Sequence, residues 1–179
     1  MANLADSPTF QVHDAYYTPR HAWFQIRHLI PVNTIIWESC MLNADLSLSP
    51  EFLQEITGNN NTIIYDTKMD MLVNQPTGWD MIITNIPFST KLKQTILRKL
   101  VEYDKPFIII MNSMNLFSNY MRDIFKGNFQ HLQVITPRGK INYTKLEDDG
   151  SLTETSNCSF YCCYLCYKLN INNEDLWLE

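Results

Sequence analysis

The run Asp80-Met-Ile-Ile-Thr-Asn-Ile-Pro-Phe-Ser89 sets a carboxamide, a proline and an aromatic ring directly after a stretch of apolar residues. A buried strand that ends so abruptly delivers Asn85, Ile86, Pro87 and Phe88 to one spot, where an amide oxygen can accept a hydrogen bond beside a ring. The same four residues also make an ordinary strand-to-helix turn, with Pro87 setting the turn, Ser89 capping the next helix and Phe88 buried in the core. Residue types alone leave both open.

Two other groups of side chains invite a chemical role. Four of the five cysteines fall between Cys158 and Cys166. The segment around them is aromatic and apolar without a turn residue, so it is expected to form a strand whose neighbouring side chains point to opposite faces. Sulfurs that diverge cannot close on a metal, and core cysteines with no metal site are the expectation. Lysine and arginine gather at Lys91, Lys93, Arg98 and Lys99 and again at Arg138, Lys140 and Lys145. Solvated faces are the commoner use of such groups, and phosphate contact is the other.

The elements that must position these residues alternate. A helix is expected from Thr18, as N-cap, through Pro19 to Ile30, then a strand over Val32 to Trp37 and a helix opened by Ser49-Pro50. Strands follow at Thr62 to Tyr65, Trp79 to Thr84, Pro106 to Met111 and His131 to Thr136, with helices at Lys91 to Glu102 and Leu116 to Phe125. The end of the chain breaks the alternation, because Ile141 to Thr144 and Cys158 to Leu169 are both strand-like with no helix between them. This predicts a mostly parallel α/β sheet whose last strands are antiparallel. Ligands of such sheets bind at the carboxyl ends of the strands, which directs attention to the loops after Trp37, Tyr65 and Thr84.

With 179 residues, 45% of them hydrophobic and 18% charged, the chain is expected to form a single domain spanning 1–179, with 1–14 as a loose arm. No stretch is apolar enough for a membrane span, and the start lacks the features of a secretory signal, so an intracellular location is expected. The net charge of −5 argues against a protein that grips nucleic acid over its whole surface.

Asn85-Ile86-Pro87-Phe88 resembles motif IV of the amino-group methyltransferases, in which an Asn or Asp is followed by two prolines and an aromatic. Tyr16-Tyr17-Thr18-Pro19 is similar to the family's motif X, and Glu38, at the end of the strand before Ser39-Cys-Met-Leu-Asn43, to the acid of motif I. Ile86 stands at a proline position, Ser39 at another, and Asn43-Ala44-Asp45 where a glycine is usual. Glycine there permits positive φ and close approach of the backbone to a ligand. Taken in order over roughly residues 15 to 170, the segments look like the compact adenine-N6 methyltransferases of phages and large DNA viruses.

That resemblance implies a Rossmann-like class I methyltransferase sandwich with an antiparallel C-terminal hairpin. It implies S-adenosylmethionine as cofactor, with Tyr17, Thr18, Glu38, Asn43, Asp66 and Asp70 around it. An exocyclic amine would donate to the Asn85 side chain and the Ile86 carbonyl, with Pro87 as brace and Phe88 as stacking surface. Lys91, Lys93, Arg138 and Lys140 become the phosphate-contact candidates on a nucleic acid, DNA ahead of RNA, with a protein partner or a second copy supplying recognition. The departures at Ser39, Ala44 and Ile86 support the alternative, a methyltransferase-fold chain without turnover that serves as a binding, regulatory or structural subunit, in a virion for instance. A fold can outlive its chemistry.

Overall fold

The computed structural model describes residues 16–41, 47–65, 71–147, 149–154 and 160–172. Its centre is a six-stranded sheet in the order β3-β2-β4-β5-β9-β6, built from β2 (Ile35–Glu38), β3 (Thr62–Tyr65), β4 (Met81–Asn85), β5 (Phe107–Asn112), β6 (Leu132–Ile135) and β9 (Cys162–Tyr167). Strands β3, β2, β4 and β5 run parallel, while β9 is antiparallel to both of its neighbours, β5 and β6. The mixed α/β architecture expected from the alternation is therefore present. The late strand pairs with β6, however, rather than with the segment after Ile141. Every residue of β9 is buried, and an all-apolar strand of this kind gains most by lying between two others.

Three short strands make a second, antiparallel sheet in the order β1-β7-β8: β1 (Tyr16–Tyr17), β7 (Thr144–Leu146) and β8 (Leu152–Glu154). Tyr16 pairs with Lys145 and Tyr17 with Thr144, which pins the entry of the described chain against a segment far along the sequence. The strand expected at Ile141 to Thr144 thus begins only at Thr144, because Ile141 and Tyr143 are buried in the core ahead of it.

The helices are α1 (Arg20–Gln25), α2 (Ser49–Thr57), α3 (Thr90–Tyr103) and α4 (Asn119–Ile124). Thr18 does not cap α1. Pro19 holds the N-cap position and the buried Thr18 faces inward, as does Ser49, whose hydroxyl accepts a 3.2 Å bond from the Trp23 indole instead of capping α2. The helix expected over Leu116 to Phe125 is split into a 3₁₀ turn over Ser113–Phe117 and α4, because the Asn112 side chain accepts from the Met114 amide and starts a tight turn there.

Both faces of the sheet are covered. Trp37, Ile82, Leu97, Ile109, Cys163 and Leu165 lie in one buried cluster, and Trp23, Ile36, Ile83, Ile108, Tyr164 and Cys166 in the other. Cys162, Cys163 and Cys166 alternate between these two cores, as a strand requires, and among the described residues no group of metal-binding side chains assembles. Burial pushes the Cys163 and Cys166 thiols up to about 12, so both stay protonated and inert at neutral pH. Among the described residues no helix is long and apolar enough to cross a membrane.

Candidate active site

Strand β4 carries Met81, Ile82, Ile83 and Thr84 into the core and ends at Asn85. The Ile86 amide still bonds to the Ile110 carbonyl of β5, and Pro87, which has no N–H, stops the ladder one residue later. Ser89 then occupies the N-cap of α3, its carbonyl accepting from the Lys93 amide at 3.0 Å. The turn alternative of the sequence is real in this respect. What it does not account for is the Asn85 side chain. Its Oδ1 is shielded from solvent, and among the described residues no donor reaches it. An unsatisfied buried amide oxygen costs about 1–3 kcal/mol, so its retention calls for an explanation in function.

Glu38 closes β2 beside it. Its carboxylate accepts a very short bond from the Thr84 hydroxyl and a 3.2 Å bond from the Cys40 amide, which also donates to the Thr84 oxygen at 3.2 Å. Glu38 is 4% exposed, and burial pushes its carboxyl up to about 7 although both hydrogen bonds pull the other way. The ends of β2 and β4 are thereby tied together by a carboxyl group that ionises near neutrality. Thr84, fully buried and polar within an apolar strand, was the sequence signal for this link.

The short sheet brings the third wall. A cleft at the carboxyl ends of the strands is lined by Tyr16, Tyr17 and Thr18 on one side and by Glu38, Cys40, Asn85, Ile86 and Pro87 on the other. Met41, Ser47 and Ser49 also line it. Its cavity volume is about 30 Å³, so the cleft is narrow. Phe88 does not line it. The ring packs edge-on against Tyr16 at 5.3 Å and Tyr143 at 5.7 Å and lies 4.7 Å from Phe160, in an aromatic cluster behind the cleft wall. Nothing local in the sequence marks Tyr143 and Phe160, which reach Phe88 from segments far along the chain.

Of the other expected site residues, Asn43, Asp66 and Asp70 lie outside the described residues. Lys91 and Arg138 are exposed, and Lys140 is half-buried, its ammonium 5.2 Å from the centre of the Tyr161 ring. Lys93 is a correction. It is 2% exposed and its Nζ donates to the Asn115 side chain at 3.1 Å, so it faces the α3–Asn115 contact and not a ligand in solvent. Its neighbours on the buried stripe of α3, Ile96, Leu97 and Leu100, stand at helical spacing from it.

No known protein family matches the sequence, and no curated protein matches it either. Among solved structures, the chain is similar to a T. thermophilus 16S rRNA methyltransferase in complex with AdoMet and guanosine, with 11% identity and a TM-score of 0.47 over 86% of this chain. The chain spans 40% of that structure's length. An rRNA methylase from Streptococcus thermophilus has 12% identity and a TM-score of 0.37, covering 84% of this chain and 95% of its own. A SAM-dependent O-methyltransferase from Thermotoga maritima has 9% identity and a TM-score of 0.34, covering 86% and 66%.

Proposed function

We propose that the chain transfers a methyl group from S-adenosylmethionine to the exocyclic amine of adenine in a nucleic acid. The observation that carries this is the Asn85 Oδ1, buried at the carboxyl end of β4 with no donor among the described residues, in a wall shared with the carboxyl Glu38. An amine entering the cleft supplies the missing donor. With one N–H given to Asn85 and the other to the Ile86 carbonyl, the nitrogen lone pair is held away from both, which is the orientation a methyl acceptor needs. Pro87 limits movement of the turn that presents both oxygens.

The residues present fit such a reaction in kind. Tyr17, Thr18 and Glu38 are the described side chains that would hold the cofactor, which supplies an electrophilic methyl group when bound. Asp66 would add a carboxylate for its ribose hydroxyls and Asp70 one near its adenine, as the methyltransferase resemblance implies. Admission of so large a ligand requires the cleft to widen between Tyr16–Thr18 and the Asn85–Pro87 turn. The narrowness of the cleft favours the second reading, a methyltransferase-fold subunit that binds without turnover.

Isothermal titration with S-adenosylmethionine and with S-adenosylhomocysteine separates the two. Micromolar binding that weakens at least about tenfold in Asp66→Ala is expected, which corresponds to about 1.4 kcal/mol. No heat at millimolar ligand would remove the enzyme reading and leave the subunit reading.

A further inference from the structure

The stretch Tyr16 to Trp37 contains two arginines and two histidines and not one acidic residue, in a chain whose net charge is −5. The structure sorts these residues onto one side. Ala22, Trp23 and Ile26 are buried, while Arg20, His21, Phe24, Arg27 and His28 are exposed along the outer face of α1 and the 3₁₀ turn that continues it. Phe24 keeps 41% of its surface in solvent, and the Arg27 guanidinium lies 3.8 Å from the centre of its ring. Glu55 pairs with Arg20, but among the described residues no carboxylate pairs with Arg27.

A second basic segment is fastened to this face. The Gln25 side chain accepts a 2.7 Å bond from the Arg138 amide, which holds the exposed Arg138 against the end of α1. Arg138 likewise has no carboxylate partner among the described residues. It follows β6 by three residues. The register then relates it to the site, because Ile135 lies opposite Tyr164, Tyr164 opposite Ile110, and Ile110 opposite Asn85 in one row across the sheet. Three strand spacings make about 14 Å between Asn85 and Ile135. β6 runs parallel to β5 and β4, so Arg138 emerges at the same carboxyl end of the sheet as Asn85.

We infer that the outer face of α1, joined by Arg138, is a docking surface for single-stranded nucleic acid that leads the strand toward the Asn85 cleft. Arg27 and Arg138, which have no carboxylate partner among the described residues, take phosphates. Phe24, 41% exposed, with the Arg27 guanidinium 3.8 Å and the Arg20 guanidinium 5.3 Å from its ring centre, offers an aromatic and cationic surface to an unstacked base, a contact that a paired duplex does not make. The absence of acidic residues from the stretch Tyr16 to Trp37 reconciles binding of a polyanion on this face with an acidic protein overall. The proposal takes the class of partner from the function proposed above and adds the surface that recognises it.

The test is fluorescence anisotropy at low salt with labelled single-stranded DNA and RNA oligonucleotides and a duplex of the same sequence. The Arg27→Ala/Arg138→Ala double variant is compared with Arg122→Ala/Lys126→Ala, which removes the same charge from the region of α4. Circular dichroism confirms that each folds. Binding of the single strand is expected to weaken at least about tenfold in the first variant, with the salt slope reduced by about 1.4, and to change little in the second. Phe24→Ala is expected to weaken binding with the slope retained. Equal losses in both double variants, tighter binding of the duplex, or no binding by the unaltered chain would overturn the proposal. Asn85→Ala keeps the two claims apart, since it is expected to lose transfer while retaining the salt-dependent part of strand binding that Arg27 and Arg138 supply. A chain that binds oligonucleotides through Arg27 and Arg138 yet transfers no methyl group would sink the function and leave this surface standing.

Discussion

Asn85→Ala is expected to lower kcat/KM for methyl transfer by about 10²- to 10³-fold while leaving the melting temperature unchanged or slightly raised. The first half follows from removal of a preoriented acceptor that acts on the reacting nitrogen, a loss of roughly 3–4 kcal/mol in the transition state. The second follows from the environment of the side chain. Its oxygen is buried and has no donor among the described residues, so truncation gives up no hydrogen bond at that atom and relieves a desolvated acceptor. Asn85→Asp is the informative companion, because a carboxylate still accepts from an amine and is one of the two residues the family's motif allows. It should retain more activity than alanine. Kinetics and thermal melting on the same preparations check both halves, and a strongly destabilised alanine variant with normal specific activity would show the side chain to be structural.

The second large effect is a dependence of stability on pH set by Glu38. Its carboxyl is raised to about 7 from an ordinary value of 4.5, chiefly by burial. Below about pH 4.5 the group is protonated in folded and unfolded chains alike, and its contribution is fully present. Between about pH 4.5 and 7 the unfolded chain ionises while the folded one does not, so the unfolded state gains and stability falls. Above about pH 7 both forms are ionised and the loss levels off at about 3 kcal/mol. Glu38→Gln keeps an oxygen for the Thr84 hydroxyl and the Cys40 amide but cannot ionise. Denaturant unfolding of both chains from pH 4.5 to 8 is expected to show the difference between them growing in favour of glutamine across that interval. A difference independent of pH would mean that Glu38 titrates as it does in the unfolded chain.

The parts of this arrangement that were legible from the sequence are those built from contiguous residues. β4, the Asn85–Pro87 turn and α3 could be read because a long apolar run, a proline and an amphipathic helix follow one another without interruption. The divergence of Cys162 and Cys163 followed from strand geometry alone. What could not be read depends on distant partners. Two- and three-residue strands such as β1 and β8 have no period to detect, and Tyr16 acquires its place only by pairing with Lys145. Thr18 looks like a helix cap in any local window, yet the β1-β7 pairing turns it into the cleft wall. Lys93 was misjudged for the opposite reason, since its spacing from Ile96, Leu97 and Leu100 put it on the apolar stripe and its charge drew attention away from that. The same pull of charge favoured the α3 lysines over α1, whose exposed basic face becomes visible only once Trp23 and Ile26 are known to be buried.

The direct test of the central claim is product analysis after incubation with methyl-labelled S-adenosylmethionine and single-stranded oligonucleotides that contain adenine. Digestion to nucleosides and chromatography locate the label. N6-methyladenine formed by the unaltered chain and absent with Asn85→Ala is the result the proposed function predicts. Label confined to another base, or no label in nucleic acid from a chain that binds the cofactor, would contradict it.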